Sequence, residues 1–435
     1  MKRLWVIILV VVLGVAVVGG GAFYAVASKA PELEKAAPTG LPKTTTDPAA
    51  FKALFPEHFD SYMKNAEMHE PALKYASSEK KKSRLDQFSY MRTLWNGMPF
   101  SKEYNEARGH LYVLDDVIGG NGNTATQRIG AATNLTCMYC KSAEVPQLIE
   151  KMGNDFYKTK LLEGDNKALF KHPVSCSDCH NPETMELRVT RPALVEALQR
   201  RGTPVEKATQ QEMRSLVCAQ CHVEYFFNPK DNTKVYFPWD KGFEAKDMYA
   251  YYTEQQFSDF KHGITEGGML KAQHPEYEMF QGSSHQQAGL SCADCHMPYM
   301  KEGSAKISSH WWTSPMRTIE QSCAQCHKQS EKEMQDRVLY TQDRVKEGLD
   351  RAGLANEAAI KAIEAAKKTQ GVDAKLLDEA RELHRQGQFY WDMASAENSM
   401  GFHNPQKFLK TIADSIDIAR QAELKAVQAA TAAKQ

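Results

Sequence analysis

Hydrophobic and polar positions follow distinct regimes along the 435 residues of the chain. Lys2 and Arg3 are followed by a stretch from Leu4 to Ala27 without a single charge, and Ala25-Val26-Ala27 stands before Ser28. A basic start, an apolar run and a small-residue cleavage site predict export. The run is also as long as a spanning helix. Residues 1–27 are therefore expected to be a signal peptide or a retained N-terminal membrane anchor. Residues 28–50, rich in Pro, Thr and Ala, read as a linker. Residues 51–130 mix helical and loop patterns, with a Gly/Asn-rich loop at 119–123. From 331 the pattern changes to Ala, Glu, Lys, Leu and Arg with apolar residues at helical spacing. Helices are predicted over 331–368 and 374–399, with Gly371 between them. Asn404-Pro405 forms an N-cap and N1 pair, and Phe408, Leu409, Ile412 and Ile416 mark one face of a third helix. This long-helix region, 331–435, has no cysteine. It is expected to serve packing or association, with a dimer interface favoured over an intramolecular bundle.

Charge and composition narrow the function. Lys plus Arg and Asp plus Glu both total 54, so no basic excess points to nucleic acid. Mean hydropathy is −0.53, polar for so long a chain, which leaves room for a non-protein group in the interior.

The cysteines identify that group. All ten lie in Cys-x-x-Cys pairs: Cys137/Cys140, Cys176/Cys179, Cys218/Cys221, Cys292/Cys295 and Cys323/Cys326. Four pairs are followed at once by a histidine, His180, His222, His296 and His327. Cys-x-x-Cys-His is the attachment signature of haem c: the thiols bond the macrocycle and the histidine reaches the iron. Zinc sites or thioredoxin-like dithiols leave the adjacent histidines unexplained. The expected fold is mainly α, a multihaem cytochrome c fold with little β, in which residues 51–330 pack around five haems.

The first pair differs, because Lys141 follows Cys140. A lysine ligates metal only as the neutral amine. This position is read as a haem with an unusual proximal ligand and an open opposite face, as a catalytic metal requires. Of the fourteen histidines, ten remain as second ligands for the other haems, and spacing does not choose among them. His58, His69 and His384 are expected to be solvated. The aromatic-rich gap between His222 and Cys292 is a candidate location for substrate-site residues.

One Cys-x-x-Cys-Lys, four Cys-x-x-Cys-His and long C-terminal helices resemble the ammonia-forming pentahaem cytochrome c nitrite reductases. The residues that carry the resemblance are Tyr104-Asn-Glu-Ala-Arg-Gly-His110, Cys137-Met-Tyr-Cys-Lys141, Cys218-Ala-Gln-Cys-His-Val-Glu-Tyr225 and Leu270-Lys-Ala-Gln-His-Pro-Glu-Tyr277. The resemblance implies Lys141 as proximal ligand of the active-site haem, with His274, Tyr225 and Arg128 over its distal face. It implies His310 opposite His180, His110 opposite His222, His403 opposite His296, and His285 opposite His327. His58, His69, His172, His262 and His384 are left without an iron role. It also implies a calcium ion held by the Glu224 carboxylate, the carbonyls of Tyr225 and Lys271, and the Gln273 side chain, an all-oxygen set that suits a hard cation.

The implied reaction is the six-electron reduction of nitrite to ammonium in the periplasm by a homodimer. Electrons would come from a membrane-bound tetrahaem quinol dehydrogenase or a soluble cytochrome. The competing classes are a pure electron-transfer cytochrome, with all haems six-coordinate, and a related reductase of sulfite or hydroxylamine.

Overall fold

The computed structural model describes residues 38–75, 83–106, 108–119, 126, 129–130 and 132–432. The segment at 1–27 and residues 28–37 of the proposed linker lie outside them. About 53% of the chain is helical. Strand among the described residues is confined to three antiparallel hairpins. These are β1 (Phe226–Asn228) with β2 (Lys234–Tyr236), β3 (Phe260–Lys261) with β4 (Gly268–Met269), and β5 (Tyr299–Glu302) with β6 (Ala305–Ser308). No described helix is long and apolar enough to cross a membrane.

Two mid-chain helices matter to the site. Helix α1 (Gln210–Ala219) starts on a reciprocal cap, in which Glu212 N donates to Thr209 Oγ1 (3.2 Å) and Thr209 N to Glu212 Oε2 (2.7 Å). Such a cap satisfies two otherwise unpaired N–H groups. Helix α2 (Ala245–Glu254) buries Met248, Tyr249, Tyr251 and Tyr252. With Phe226, Phe237, Trp239 and Phe257 these rings build the larger hydrophobic core. The aromatics between His222 and Cys292 are thus mostly core.

Three long helices follow: α3 (Glu331–Lys367), α4 (Ala374–Ser395) and α5 (Pro405–Ala432). The cap foreseen at Asn404 acts at the start of α5, with Lys407 N donating to Asn404 Oδ1 (3.3 Å). The buried stripe of α5 runs Phe408, Ile412, Ser415, Ala419, Ala422, Ala426, Ala429. Small residues along it let the helix axes approach. At the crossing, a Cβ on Gly387 would lie 3.2 Å from both Ala419 N and Asn356 Oδ1. There Ser415 Oγ donates to Gly387 O (2.7 Å) and Asn356 Nδ2 to Ser415 Oγ (3.3 Å). The three helices therefore pack on one another within the chain. Leu409, assigned to the apolar face, is instead 41% exposed, because Phe408 and Ile412 already fill the inward positions. Helix α4 ends at Ser395 rather than 399, where the chain turns toward His403.

Of the three histidines expected in solvent, none is fully exposed: His58 and His69 are half-buried. His384 is fully buried, with Nε2 3.0 Å from Gln388 Oε1 and its ring edge-on to the buried His262 (5.3 Å). Arg385, its neighbour in sequence, is buried as well. His58 packs edge-on against His310 (5.3 Å) and His69 against Trp311 (5.4 Å).

Burial, reinforced by His262, holds His384 down to about 3, below the ordinary 6.5. The folded state then binds fewer protons than the unfolded chain. The stabilisation is complete above the unfolded pKa and is lost as pH falls from 6.5 toward 3, by up to about 1.4 kcal/mol per pH unit. His384→Leu is expected to flatten the pH dependence of unfolding free energy across this window. An unchanged slope would remove His384 as its source.

Candidate active site

Two of the cysteine pairs sit on single helical turns. In Cys176–Cys179 and Cys292–His296 the turn starts on a capping box, Ser175 with Asp178 and Ser291 with Asp294. The Ser-Cys-x-Asp-Cys-His pattern carries this signal, a serine followed three residues later by an acid, and it escaped the sequence reading. Helix α1 delivers Cys218 at its last turn, and His222 N bonds back to Cys218 O (3.0 Å). No two of the ten cysteines form a disulfide. Neighbouring motifs touch: the Cys140 sulfur lies 4.0 Å from Gln220 O, beside Cys221, and Cys292 N donates to Ser215 Oγ (3.1 Å) on the helix that carries Cys218.

The fifth motif differs from the other four in exposure. Nine of the thiols are half-buried, but Cys326 is exposed. So are its neighbours from Gln325 to Glu333. The cause is local: the motif follows the short helical turn Ile319–Ser322, and the chain then swings outward to start α3 on the Ser330 cap. A thioether needs reach rather than burial, so Cys326 remains suited to attach a haem, one whose edge would face solvent.

Each histidine that follows a cysteine pair meets a second ring from a distant segment. Centroid separations are 6.2 Å for His180–His310, 5.8 Å for His110–His222, 6.1 Å for His296–His403 and 6.2 Å for His285–His327. Two imidazoles on opposite sides of one metal have centroids roughly 6.3 Å apart, given a metal–nitrogen bond of about 2.0 Å and a centroid-to-nitrogen distance of about 1.15 Å. The rings are thus spaced to hold an iron between them. Several of their Nδ1 atoms are engaged elsewhere. His180 Nδ1 faces Met185 O (2.7 Å), His310 Nδ1 faces Ser308 O (2.9 Å) and His296 Nδ1 faces Thr313 O (3.2 Å). A carbonyl acceptor keeps the proton on Nδ1 and leaves Nε2 as the metal-binding nitrogen. His222 Nδ1 lies 3.7 Å from Glu276 Oε2, and His403 Nδ1 forms an ion-pair contact with Glu397.

The first motif has no such ring pair. Lys141 is held in place through its neighbours: Arg191 Nε donates to Tyr139 O (2.8 Å) and Nη2 to Ser142 O (3.0 Å). The same guanidinium pairs with buried Asp178 of the second motif (2.7 Å). Among the described residues nothing hydrogen-bonds or ion-pairs with the Lys141 ammonium, which suits an amine meant for a metal. His274 N donates to Val223 O (3.3 Å) just after the third motif, whose Gln220 O meets the Cys140 sulfur (4.0 Å), so His274 and the first motif share one neighbourhood. The Tyr225 hydroxyl lies near Cys137 and Cys140, and burial together with those thiols pushes its pKa well up. Burial pulls His274 down to about 3. It is therefore neutral at rest. Arg128 lies outside the described residues.

The oxygen set expected to hold calcium is contiguous. Glu224 is fully buried; its Oε1 accepts from Tyr252 (2.7 Å) and its Oε2 from Gln273 N (2.6 Å). Gln273 Nε2 donates to Lys271 O (3.1 Å). Among the described residues no group of three or more His, Cys, Asp or Glu converges as a metal site. A set with one carboxylate and several amide oxygens has that character. The Lys271 side chain turns away into a cage of Trp95, Phe100 and Tyr104 (4.9, 5.5 and 5.4 Å) and pairs with Asp392 (2.9 Å). Asp392 Oδ2 also accepts Ala272 N (2.6 Å), and Asp259 accepts Lys271 N (2.8 Å). These two acids, of which Asp392 is buried, are absent from the sequence reading and fix the segment that carries His274.

Paired-ring cysteine motifs on a helical scaffold define a multihaem c-type cytochrome. The family model for cytochrome c552 matches residues 47–435. The chain is 39% identical over 408 residues to the cytochrome c nitrite reductase subunit NrfA of Nitratidesulfovibrio vulgaris, covering 86% of this chain and 77% of that one. It is 42% identical over 344 residues to cytochrome c-552 of Bacteroides thetaiotaomicron, covering 78% and 69%. The solved cytochrome c nitrite reductase of Desulfovibrio desulfuricans, described with two calcium sites in its catalytic subunit, superposes with a TM-score of 0.83 at 39% identity, covering 90% of this chain and 88% of that one. The chain belongs to the cytochrome c552 family, that of the cytochrome c nitrite reductases. Covalently attached haem c comes with that family.

Replacing Asp392 by alanine leaves the Lys271 ammonium buried without a counter-charge, a loss of about 3–5 kcal/mol. Chemical denaturation of the holoprotein measures it; a change under about 1 kcal/mol would mean that the pair contributes no more than a surface one.

Proposed function

We propose that the chain reduces nitrite to ammonium at the haem attached through Cys137 and Cys140, with Lys141 as its proximal ligand and four bis-histidine haems as the electron supply. The observation that supports this most is the asymmetry among the five motifs. Four present a histidine facing a second ring at metal-sandwich spacing, and the fifth presents a lysine without a ring partner, close to His274.

Each nitrite takes up six electrons and eight protons and leaves as ammonium and two waters. Haem c at the first motif supplies an iron coordination position and the electrons that reach it. The remaining steps belong to side chains. Neutral His274 donates an N–H to a nitrite oxygen. The anion beside it favours the protonated ring, so substrate binding itself recruits a proton to the site. Arg128 adds fixed positive charge, which acts strongly where water is excluded. Tyr225, protonated throughout because burial raises its pKa, orients the substrate with its O–H. Calcium held by Glu224, Gln273 and the carbonyls of Tyr225 and Lys271 would lock the strand start bearing Tyr225 to the segment bearing His274.

The proposed setting is the periplasm, with a membrane-bound tetrahaem quinol dehydrogenase or a soluble cytochrome as donor. A homodimer through α3–α5 is supported by the exposed Tyr340, Leu354, Leu424 and Val427, each 50–60% accessible.

The direct assay is nitrite-dependent oxidation of a reduced dye with ammonium quantified. Ammonium in a ratio of one per six electrons is expected; nitric oxide or no nitrogen product would refute the reading. Lys141→Leu is expected to lower turnover at least a hundredfold, about 2.7 kcal/mol of transition-state stabilisation, with the bis-histidine haems spectroscopically intact. Undiminished turnover would take Lys141 out of the mechanism. His274→Asn is expected to lose about 10²–10⁴-fold, the range for a positioned proton donor, at full haem content. Near-normal rates would assign proton delivery to another group.

A further inference from the structure

The four ring pairs differ in what holds their Nδ1 protons. Both rings of the His180–His310 pair face backbone carbonyls, and so does His296. His403 instead meets Glu397, whose side chain is completely buried. A carboxylate accepts a hydrogen bond more strongly than a carbonyl.

The contact is a built one. Ser399 N and Oγ both donate to Glu397 Oε2 (2.9 and 2.8 Å), which leaves Oε1 for the imidazole. The same serine oxygen accepts His403 N (3.0 Å). The chain between them turns through Met400 and Gly401 at positive φ (51° and 87°). A Cβ at Gly401 would run into Val345 Cγ2, so the turn is wedged against α3. Carboxylate, serine and histidine are held in one arrangement by the end of α4 and the loop before α5.

We propose that Glu397 is a positioning residue that makes His403 an imidazolate-like ligand and thereby lowers the reduction potential of the haem held between His296 and His403. This rests on the ligand assignment made above. The carboxylate draws the Nδ1 proton and makes the opposite nitrogen a stronger donor. A stronger donor stabilises ferric over ferrous iron. The His180–His310 haem, with carbonyl acceptors on both rings, has no such bias and sits higher. The nearest rival is Glu276, whose oxygen stands 3.7 Å from His222 Nδ1 and engages it more weakly. Because Cys292 N of the fourth motif donates to Ser215 Oγ (3.1 Å) on the helix that carries Cys218 of the third, the low-potential haem neighbours the His110–His222 haem. Electrons leaving it run downhill toward that neighbour.

The test is a potentiometric titration of the holoprotein followed by electron paramagnetic resonance, with intact mass to count haems. In Glu397→Gln, one low-spin haem is expected to move to higher potential while the others stay. No movement overturns the proposal. Ser399→Ala removes an O–H donor from Oε2, leaves the carboxylate more basic and is expected to move the same haem down. If Glu397→Gln yields no holoprotein, this variant decides: a downward shift supports the proposal, and an upward shift or none overturns it. His403→Met separates the two layers. A changed low-spin signal upholds His403 as a ligand, so that an unmoved potential in the Glu397 and Ser399 variants refutes the tuning alone. An unchanged signal removes the ligand assignment, and the proposal falls with it.

Discussion

Much of this structure follows from one requirement: an imidazole anchored next to a cysteine pair must face a second imidazole across about 6 Å. The partner never comes from the same turn. His110 arrives from before the first motif, His285 from a short helical turn before the fourth, His310 from the segment after it, and His403 from beyond α4. Four pairings of this range tie the middle of the chain together with loops and single helical turns, and they leave little occasion for sheet. They also explain why the C-terminal helices belong to the same body. The turn after α4 has to bring His403 back to the fourth motif, so the long bundle is fastened to the cysteine-rich region by a ring pair as well as by packing.

Buried charge is the second organising element. Arg191 with Asp178 and Lys271 with Asp392 are both almost fully shielded. Pairs of this kind are fragile when one member is removed, but they fix geometry. Arg191 holds the carbonyls on either side of Lys141, and Asp392 holds the amide next to the Gln273–His274 segment. Both candidate groups of the first motif are thus set by an ion pair anchored on another element. Glu224 has a different role: with burial raising its pKa well above the carboxylate range, it is an acid prepared for a positive partner.

The sequence made much of this legible for physical reasons. Cysteine pairs with an adjacent histidine or lysine are local, and their chemistry is written in consecutive residues. The helices after 331 are equally local, being set by periodicity and by caps such as Ser330–Glu333 and Asn404. Pairing of rings between distant segments is not local, and only the family resemblance pointed to the partners that the structure places opposite each other. Side-chain surroundings were the least legible. His384 lies among charged neighbours in sequence but turns inward on α4, while Leu409 turns outward from an apolar stripe. Cys326 reads like the other nine thiols yet stands at the surface, because the start of α3 draws its segment outward. The acids Glu397, Asp392 and Asp259 gain meaning only from what they touch. Arg128, on the other hand, remains a reading of sequence alone.

The central claim is that one haem of five differs from the rest in its ligands and offers an open face to nitrite. Electron paramagnetic resonance of the oxidised holoprotein, with spins quantified before and after nitrite is added, addresses it most directly. One ferric haem outside the low-spin bis-histidine class, altered by nitrite, is expected beside four low-spin haems that nitrite leaves unchanged. Five low-spin haems indifferent to nitrite would contradict the claim.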